Sequence, residues 1–166
     1  MKAIAFSGNS NSGKTTLIQK LSLLLPPTKR VCIVKHDPKN KASIDTEGKD
    51  SDIFYKTGAD IAILSPTQTT LRFHQNLSLE SLIQKFGDCD YLFVEGLKEL
   101  PLPRICVARE VFDERFLPFS NALAIDDSIN KDSLPKNIPL LNLNNPQEIL
   151  DWININIKDY KWIKQK

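Results

Sequence analysis

Apolar positions in this chain gather into short runs separated by stretches of mixed periodicity. Ala3–Phe6, Val31–Val34 and Tyr91–Val94 are unbroken apolar segments, the signature of strands buried on both faces of a parallel sheet. Ile61–Leu64, Ile105–Ala108, Ala122–Ile125 and Pro139–Leu143 extend the series, and Thr69–His74 alternates enough for one strand more. Between them the period changes. Leu17, Ile18, Leu21, Leu24 and Leu25 recur at helical spacing until Pro26-Pro27 stops the helix. Asp50 or Ser51 can cap a short helix through Lys56 that Gly58 ends. Ser78 caps a helix carrying Leu79, Leu82, Ile83 and Phe86, closed by Gly87. Asn145-Pro146 opens a last helix with Ile149, Leu150, Ile153 and Ile157 on one face and a basic tail behind it. Pro38 to Lys49 is a long polar loop with room for a small hairpin. Strands alternating with helices predict an α/β fold: a mostly parallel sheet with helices on both faces, in one domain spanning residues 1–166.

The stretch between the first strand and first helix changes a fold expectation into a chemical one. Gly8-Asn9-Ser10-Asn11-Ser12-Gly13-Lys14-Thr15-Thr16 has two glycines enclosing four residues, then Lys and Thr, which is the phosphate-loop pattern. The glycines allow backbone N–H groups to turn inward around a polyphosphate, and the following helix adds free N–H donors and its positive dipole end. Lys14 would reach the terminal phosphates and the Thr15 hydroxyl would ligate the Mg²⁺ that bridges them, with Thr16 a weaker second choice. The fold class is therefore P-loop NTPase-like.

In open parallel sheets ligands bind beyond the carboxyl ends of the strands. Two further strand ends carry candidates. Asp37, after Lys35-His36, could bind Mg²⁺ directly or through water, orient an attacking water, or simply begin a turn before Pro38. Glu95 follows four apolar residues in a central strand, where an unpartnered charge is costly, and it is expected near the metal. Lys14, Asp37 and Glu95 are thus the candidate catalytic groups. Gly96 either lets backbone approach a phosphate or only ends the strand. The loop bearing Asp45, Glu47, Gly48, Lys49, Asp50 and Ser51 could hold a second substrate or a partner. An Asn-Lys-x-Asp base-recognition motif is missing, but Asn121 to Asp127 and the segment around Asn142 to Asn145 lie at late strand ends where a base could dock, with Asp126 able to accept from a guanine edge.

Composition removes several classes of function. The 166 residues are 41% hydrophobic and 25% charged, which is globular, and a net charge of +2 is too small for a nucleic-acid surface. No apolar run approaches the ~20 residues that cross a bilayer, and no signal pattern precedes the first strand, so a cytoplasmic protein without membrane contact is expected. Cys32, Cys89 and Cys106 stand apart in strand-like surroundings and read as small core residues. His36 and His74 are single, so a metal-delivery GTPase lacks its soft ligands. A small-molecule kinase would close an arginine-rich lid over the phosphoryl group, whereas Arg30, Arg72, Arg104, Arg109 and Arg115 are scattered.

The islands Gly8 to Thr16, Val34-Lys35-His36-Asp37, Asp45-Thr46-Glu47-Gly48-Lys49-Asp50-Ser51 leading to Gly58-Ala59, and Val94-Glu95-Gly96-Leu97-Lys98 followed by Pro103-Arg104-Ile105 and Arg109 resemble the molybdopterin-guanine dinucleotide biosynthesis protein B (MobB) family. The resemblance reaches about residue 127. It implies a GTP-binding protein, Mg²⁺-dependent and weakly hydrolytic, that assists formation of molybdopterin guanine dinucleotide beside a separate molybdopterin guanylyltransferase. It implies a homodimer, and contact with the molybdopterin cofactor itself is a further expectation. Two departures stand out: relatives often carry more histidines after the second strand, and Arg104 stands where lysine is common.

Overall fold

The computed structural model describes residues 1–160; the lysines of the basic tail at 161, 164 and 166 lie outside them. In chain order the elements are β1 (Lys2–Ser7), α1 (Lys14–Leu24), β2 (Val31–Lys35), α2 (Asp50–Lys56), β3 (Ile61–Leu64), β4 (Thr69–Arg72), α3 (Leu79–Phe86), β5 (Tyr91–Glu95), β6 (Arg104–Ala108), β7 (Ala122–Ile125), β8 (Leu140–Asn142) and α4 (Pro146–Asn156). They form two compact units: Met1–His36 with the chain from Asp88 onward, and Asp37–Gly87.

The first unit is built on a six-stranded sheet in the order β2-β5-β1-β6-β7-β8, every pair parallel. Alternation along each strand divides the side chains between two faces. Ile4, Phe6, Phe93, Ile105, Val107, Ala122 and Ala124 pack against Leu17, Ile18 and Leu21 of α1 and Ile149, Leu150 and Ile153 of α4. Phe6 meets Phe93 edge-on, with ring centroids 5.7 Å apart. The intervening residues Cys106, Ala108, Leu123 and Ile125 face the other way, against Phe116, Ile129 and Leu134. Phe116 belongs to a 3₁₀ helix, Glu114–Phe119, which the hydrophobic pattern does not forecast because six residues around Pro118 are too few to show a period. A second 3₁₀ turn, Lys131–Ser133, is likewise too short to show a period. The mostly parallel sheet and its covering helices agree with expectation.

Helix ends follow the local chemistry. Asn145 accepts from Glu148 N–H at 3.3 Å, with Pro146 in the first turn of α4. Helix α1 stops before Pro26-Pro27.

The second unit holds the main departure. Strands β3 and β4 pair antiparallel in a sheet of their own, Ile61 opposite Arg72 and Leu64 opposite Thr69. β4 ends at Arg72, two residues short of the expected His74, whose ring stacks on Tyr55 at 3.9 Å between centroids. Ser78 caps α3, accepting from Ser81 N–H at 3.1 Å, and Gly87 ends it. α2 is entered differently from expectation. Lys49 occupies the cap position, and Asp52 from the first turn reaches back to accept from Gly48 N–H at 2.9 Å. That bond, with the nearby Lys56 ammonium, holds the Asp52 carboxyl below its ordinary range. The loop from Pro38 to Lys49 contains turns and no hairpin strands.

The three cysteines carry free thiols. Cys32 and Cys106 are buried; Cys89 is only partly so, and burial pushes its thiol up to about 11. Among the described residues no helix is long and apolar enough to cross a membrane.

Ile153 is fully enclosed between α4 and the sheet. Ile153→Ala should therefore cost about 2–5 kcal/mol of stability, read as a lower urea midpoint. An unchanged midpoint would mean that α4 does not seal this face.

Candidate functional site

The register of β1 on β6 sets the site's first constraint. Ser7 pairs with Cys106, so Gly8 passes alongside Val107. A β-carbon on Gly8 would lie 2.1 Å from the Val107 carbonyl oxygen, and φ at Gly8 is +132°; no side chain fits there. The loop then runs through Asn9, Ser10 and Asn11, all exposed, to buried Ser12 and to Gly13, which occupies the cap position of α1 without a side-chain cap. Lys14 is the first helical residue. Its ammonium folds back over the loop, donating to the carbonyls of Gly8 at 3.1 Å and Asn9 at 2.6 Å and to Ser12 Oγ at 3.4 Å. Burial lowers the Lys14 pKa, Lys35 adds to that, and the Glu95 carboxylate opposes it.

Glu95 arrives at the same place from a different strand. Phe6 and Lys35 flank Glu95 in register on β1 and β2. The Thr15 hydroxyl lies 3.1 Å and 3.2 Å from the two Glu95 carboxylate oxygens and donates to that group. Lys14, Thr15 and Glu95 are therefore one constellation, while Thr16, the weaker candidate, is exposed beside it. Gly96 donates its N–H to Phe6 O at 3.0 Å, and its α-carbon faces the His36 side chain so closely that a β-carbon would lie 3.0 Å from His36 Cβ. Strand ending and tight packing account for this glycine.

Asp37 is placed in the second unit, as its first residue. Its carboxylate accepts from Ala42 N–H at 2.6 Å and Lys39 N–H at 3.3 Å, which organises the start of the polar loop. Farther along, Asp45 is held by Arg72 at 2.8 Å, and the Arg72 guanidinium lies 3.8 Å from the centre of the Tyr55 ring. Asp126, at the end of β7, receives Ser128 N–H at 3.1 Å and the Ser128 hydroxyl on one oxygen, and Arg109 Nε at 2.7 Å on the other. The serine contacts, then Arg109, hold its carboxyl below the ordinary range. Asn142 accepts from Asn144 N–H at 2.9 Å, and Asn145 is committed to capping α4.

One residue of the family-like islands has a role that the sequence reading did not assign. Arg104, 1% exposed, opens β6 and spreads its guanidinium under the turn that follows Glu95. It donates to the carbonyls of Gly96 at 3.3 Å, Leu97 at 3.0 Å, Lys98 at 3.2 Å and Leu100 at 3.3 Å. The only signal available was a charged residue abutting an apolar run, and the strand was expected to begin one residue later.

Chemically, an ammonium over a glycine-bounded loop at a helix N-terminus suits an anion, and a hydroxyl paired with a carboxylate offers hard oxygen donors. The model of the family Molybdopterin guanine dinucleotide synthesis protein B matches residues 3–126, a span that contains the loop, Glu95, Arg104 and Asp126. The chain belongs to that family. A relative in Methanocaldococcus jannaschii is 29% identical over 157 residues, covering 87% of this chain and 66% of its own length. The molybdopterin-guanine dinucleotide biosynthesis adapter protein of Haemophilus influenzae is 34% identical over 113 residues, covering 64% of this chain and 63% of its own length. The chain thus spans about two thirds of the length of these relatives. The crystal structure of Bacillus subtilis MobB has the same fold, with a TM-score of 0.74 at 21% identity over 96% of this chain and 100% of that one.

Because Gly8 sits against backbone, Gly8→Ala must displace either the loop or β6. We expect a loss on the order of 1–3 kcal/mol, measured by denaturant unfolding. A variant as stable as wild type would show that the loop does not need this close approach.

Proposed function

We propose that this protein is a GTP-binding accessory protein in the formation of molybdopterin guanine dinucleotide, hydrolysing GTP slowly with Mg²⁺ and acting beside a molybdopterin guanylyltransferase. The observation that carries the reading is the meeting of Lys14, Thr15 and Glu95 at the mouth of the Gly8–Thr16 loop; the family supplies the pathway.

In this reading the triphosphate lies along the loop, and Lys14 exchanges the Gly8 and Asn9 carbonyls for phosphate oxygens. That exchange is favourable because an ammonium gains more from an anion than from neutral carbonyls. The Thr15 hydroxyl and Glu95 carboxylate fit a Mg²⁺ site, being hard oxygens brought together from a helix start and a strand end. Bound Mg²⁺ would neutralise phosphate charge. Glu95 would hold the metal side of the site in place, and Asp37 is proposed as a second carboxylate, direct or through water. Asp126 is proposed to accept from the guanine edge: each of its oxygens already takes protein donors, but a carboxylate has about four acceptor positions.

The homodimer is proposed on the second unit. There Phe54 is 61% exposed and Leu64 76% exposed, with Ile63 and Leu71 also open to solvent. Phe54, Ile61, Ile63 and Leu64 line a cavity of about 690 Å³ in this unit. Apolar groups gathered this way are what a second copy of the chain would cover.

Two measurements test these proposals. Titration with Mg²⁺ and GTP or ATP should show GTP preferred, and Lys14→Ala should abolish tight binding while the fold survives; ATP preference, or a folded Lys14→Ala variant of unchanged affinity, would overturn the assignment. By light scattering the protein should have the mass of two chains, falling toward one in Leu64→Asp. A monomeric wild type at micromolar concentration would remove the dimer.

A further inference from the structure

Arg104 is a buried cation that the proposed chemistry does not use. Its guanidinium meets no carboxylate within ion-pair distance among the described residues; it donates instead to four carbonyl oxygens of residues 96–100. Burying a charge is expensive, and carbonyl dipoles converging on it are one way to compensate. Those carbonyls point inward only because the turn takes an unusual course. Leu97, a residue with a bulky side chain, has φ +48°, and Gly96 before it has φ +92°. Such a backbone persists where its surroundings over-determine it.

The surroundings are themselves fixed. Arg104 pairs with Ala5 of β1, and Asn121 grips its backbone on both sides, accepting from Arg104 N–H at 2.9 Å and donating its own N–H to Arg104 O at 2.8 Å. Lys98, in the same turn, lies over the Phe116 ring, its ammonium 4.4 Å from the centroid. The turn is thus anchored from β6, from one strand to the far side of β1. Its first residue follows Glu95 directly, and Glu95 presents its carboxylate to Thr15.

We propose that Arg104 is a positioning residue for the metal side of the site: its guanidinium holds the 96–100 turn, and the turn holds the Glu95 carboxylate against Thr15. This rests on the reading of Thr15 and Glu95 as Mg²⁺ ligands. A single lysine ammonium has three donors on one point, where the guanidinium spreads five across a plane. Lysine at this position should therefore hold the turn partly, and an apolar side chain of similar length should not hold it at all.

The experiment compares wild type, Arg104→Lys, Arg104→Met and Glu95→Gln. Amide hydrogen exchange without nucleotide reads the turn; Mg²⁺ titration of GTP hydrolysis and of GTP binding reads the site. In Arg104→Met the amides of residues 96–100 should exchange faster, and the Mg²⁺ needed for half-maximal hydrolysis should rise roughly 10–100-fold, with Mg²⁺-free GTP affinity little changed. Arg104→Lys should fall between it and wild type, and Glu95→Gln should show the same Mg²⁺ defect with a protected turn. A folded Arg104→Met protein with wild-type Mg²⁺ requirement would overturn the inference, leaving the nucleotide reading intact. A wild type whose triphosphate binding is indifferent to Mg²⁺ would instead overturn the metal reading on which it stands.

Discussion

The site depends on one close approach: the carbonyl of Val107 lies where a side chain on Gly8 would have to be. A parallel sheet with β1 in its interior, between β5 and β6, leaves no room to swing the loop away. β6 blocks one side and Glu95 at the end of β5 bounds the other. The chain must therefore turn directly into α1, and Lys14 and Thr15 enter the first helical turn at a fixed distance from Glu95. The constellation is a consequence of strand order. Glycine, strand order and helix start cannot be varied independently.

This explains why the loop was legible in the sequence and much of its support was not. Gly8, Gly13, Lys14 and Thr15 are close in the chain, so their spacing encodes their geometry, and Glu95 announced itself as a charge ending an apolar strand. Register added what spacing cannot carry: Ser7 beside Cys106, and Phe6 beside Glu95. Arg104 could be read as part of a family-like island, but its hold on the turn after Glu95 could not. Its partners are backbone carbonyls, which every residue possesses, so no side-chain pattern marks them. The same limit applies to Asp126, whose place at a strand end was readable but whose engagement by Ser128 and Arg109 was not.

The hairpin of β3 and β4 shows the other boundary of what periodicity conveys. Ile61–Leu64 has the composition of a buried parallel strand, yet it pairs antiparallel with Thr69–Arg72 in a separate sheet and leaves Leu64 in solvent. A run of four apolar residues specifies that backbone will extend. It does not specify which edge receives it, because pairing is decided by neighbours far away in sequence. The connection between the runs is short, and short connections favour antiparallel neighbours.

Asp37 and Glu95 illustrate how one sequence argument can hold for one carboxylate while the other needs a different reason to be there. Both follow strands and both suit Mg²⁺ by chemistry. Glu95 meets a hydroxyl from the loop, and neither helix nor strand needs that contact for its own hydrogen bonding. Asp37 meets backbone N–H groups of Lys39 and Ala42, the local pattern by which an aspartate shapes the turn that follows it. The contacts of Asp37 are those of a turn-forming aspartate, whereas the Glu95 carboxylate, placed by strand register, meets a hydroxyl that neither β5 nor α1 needs for its own hydrogen bonding.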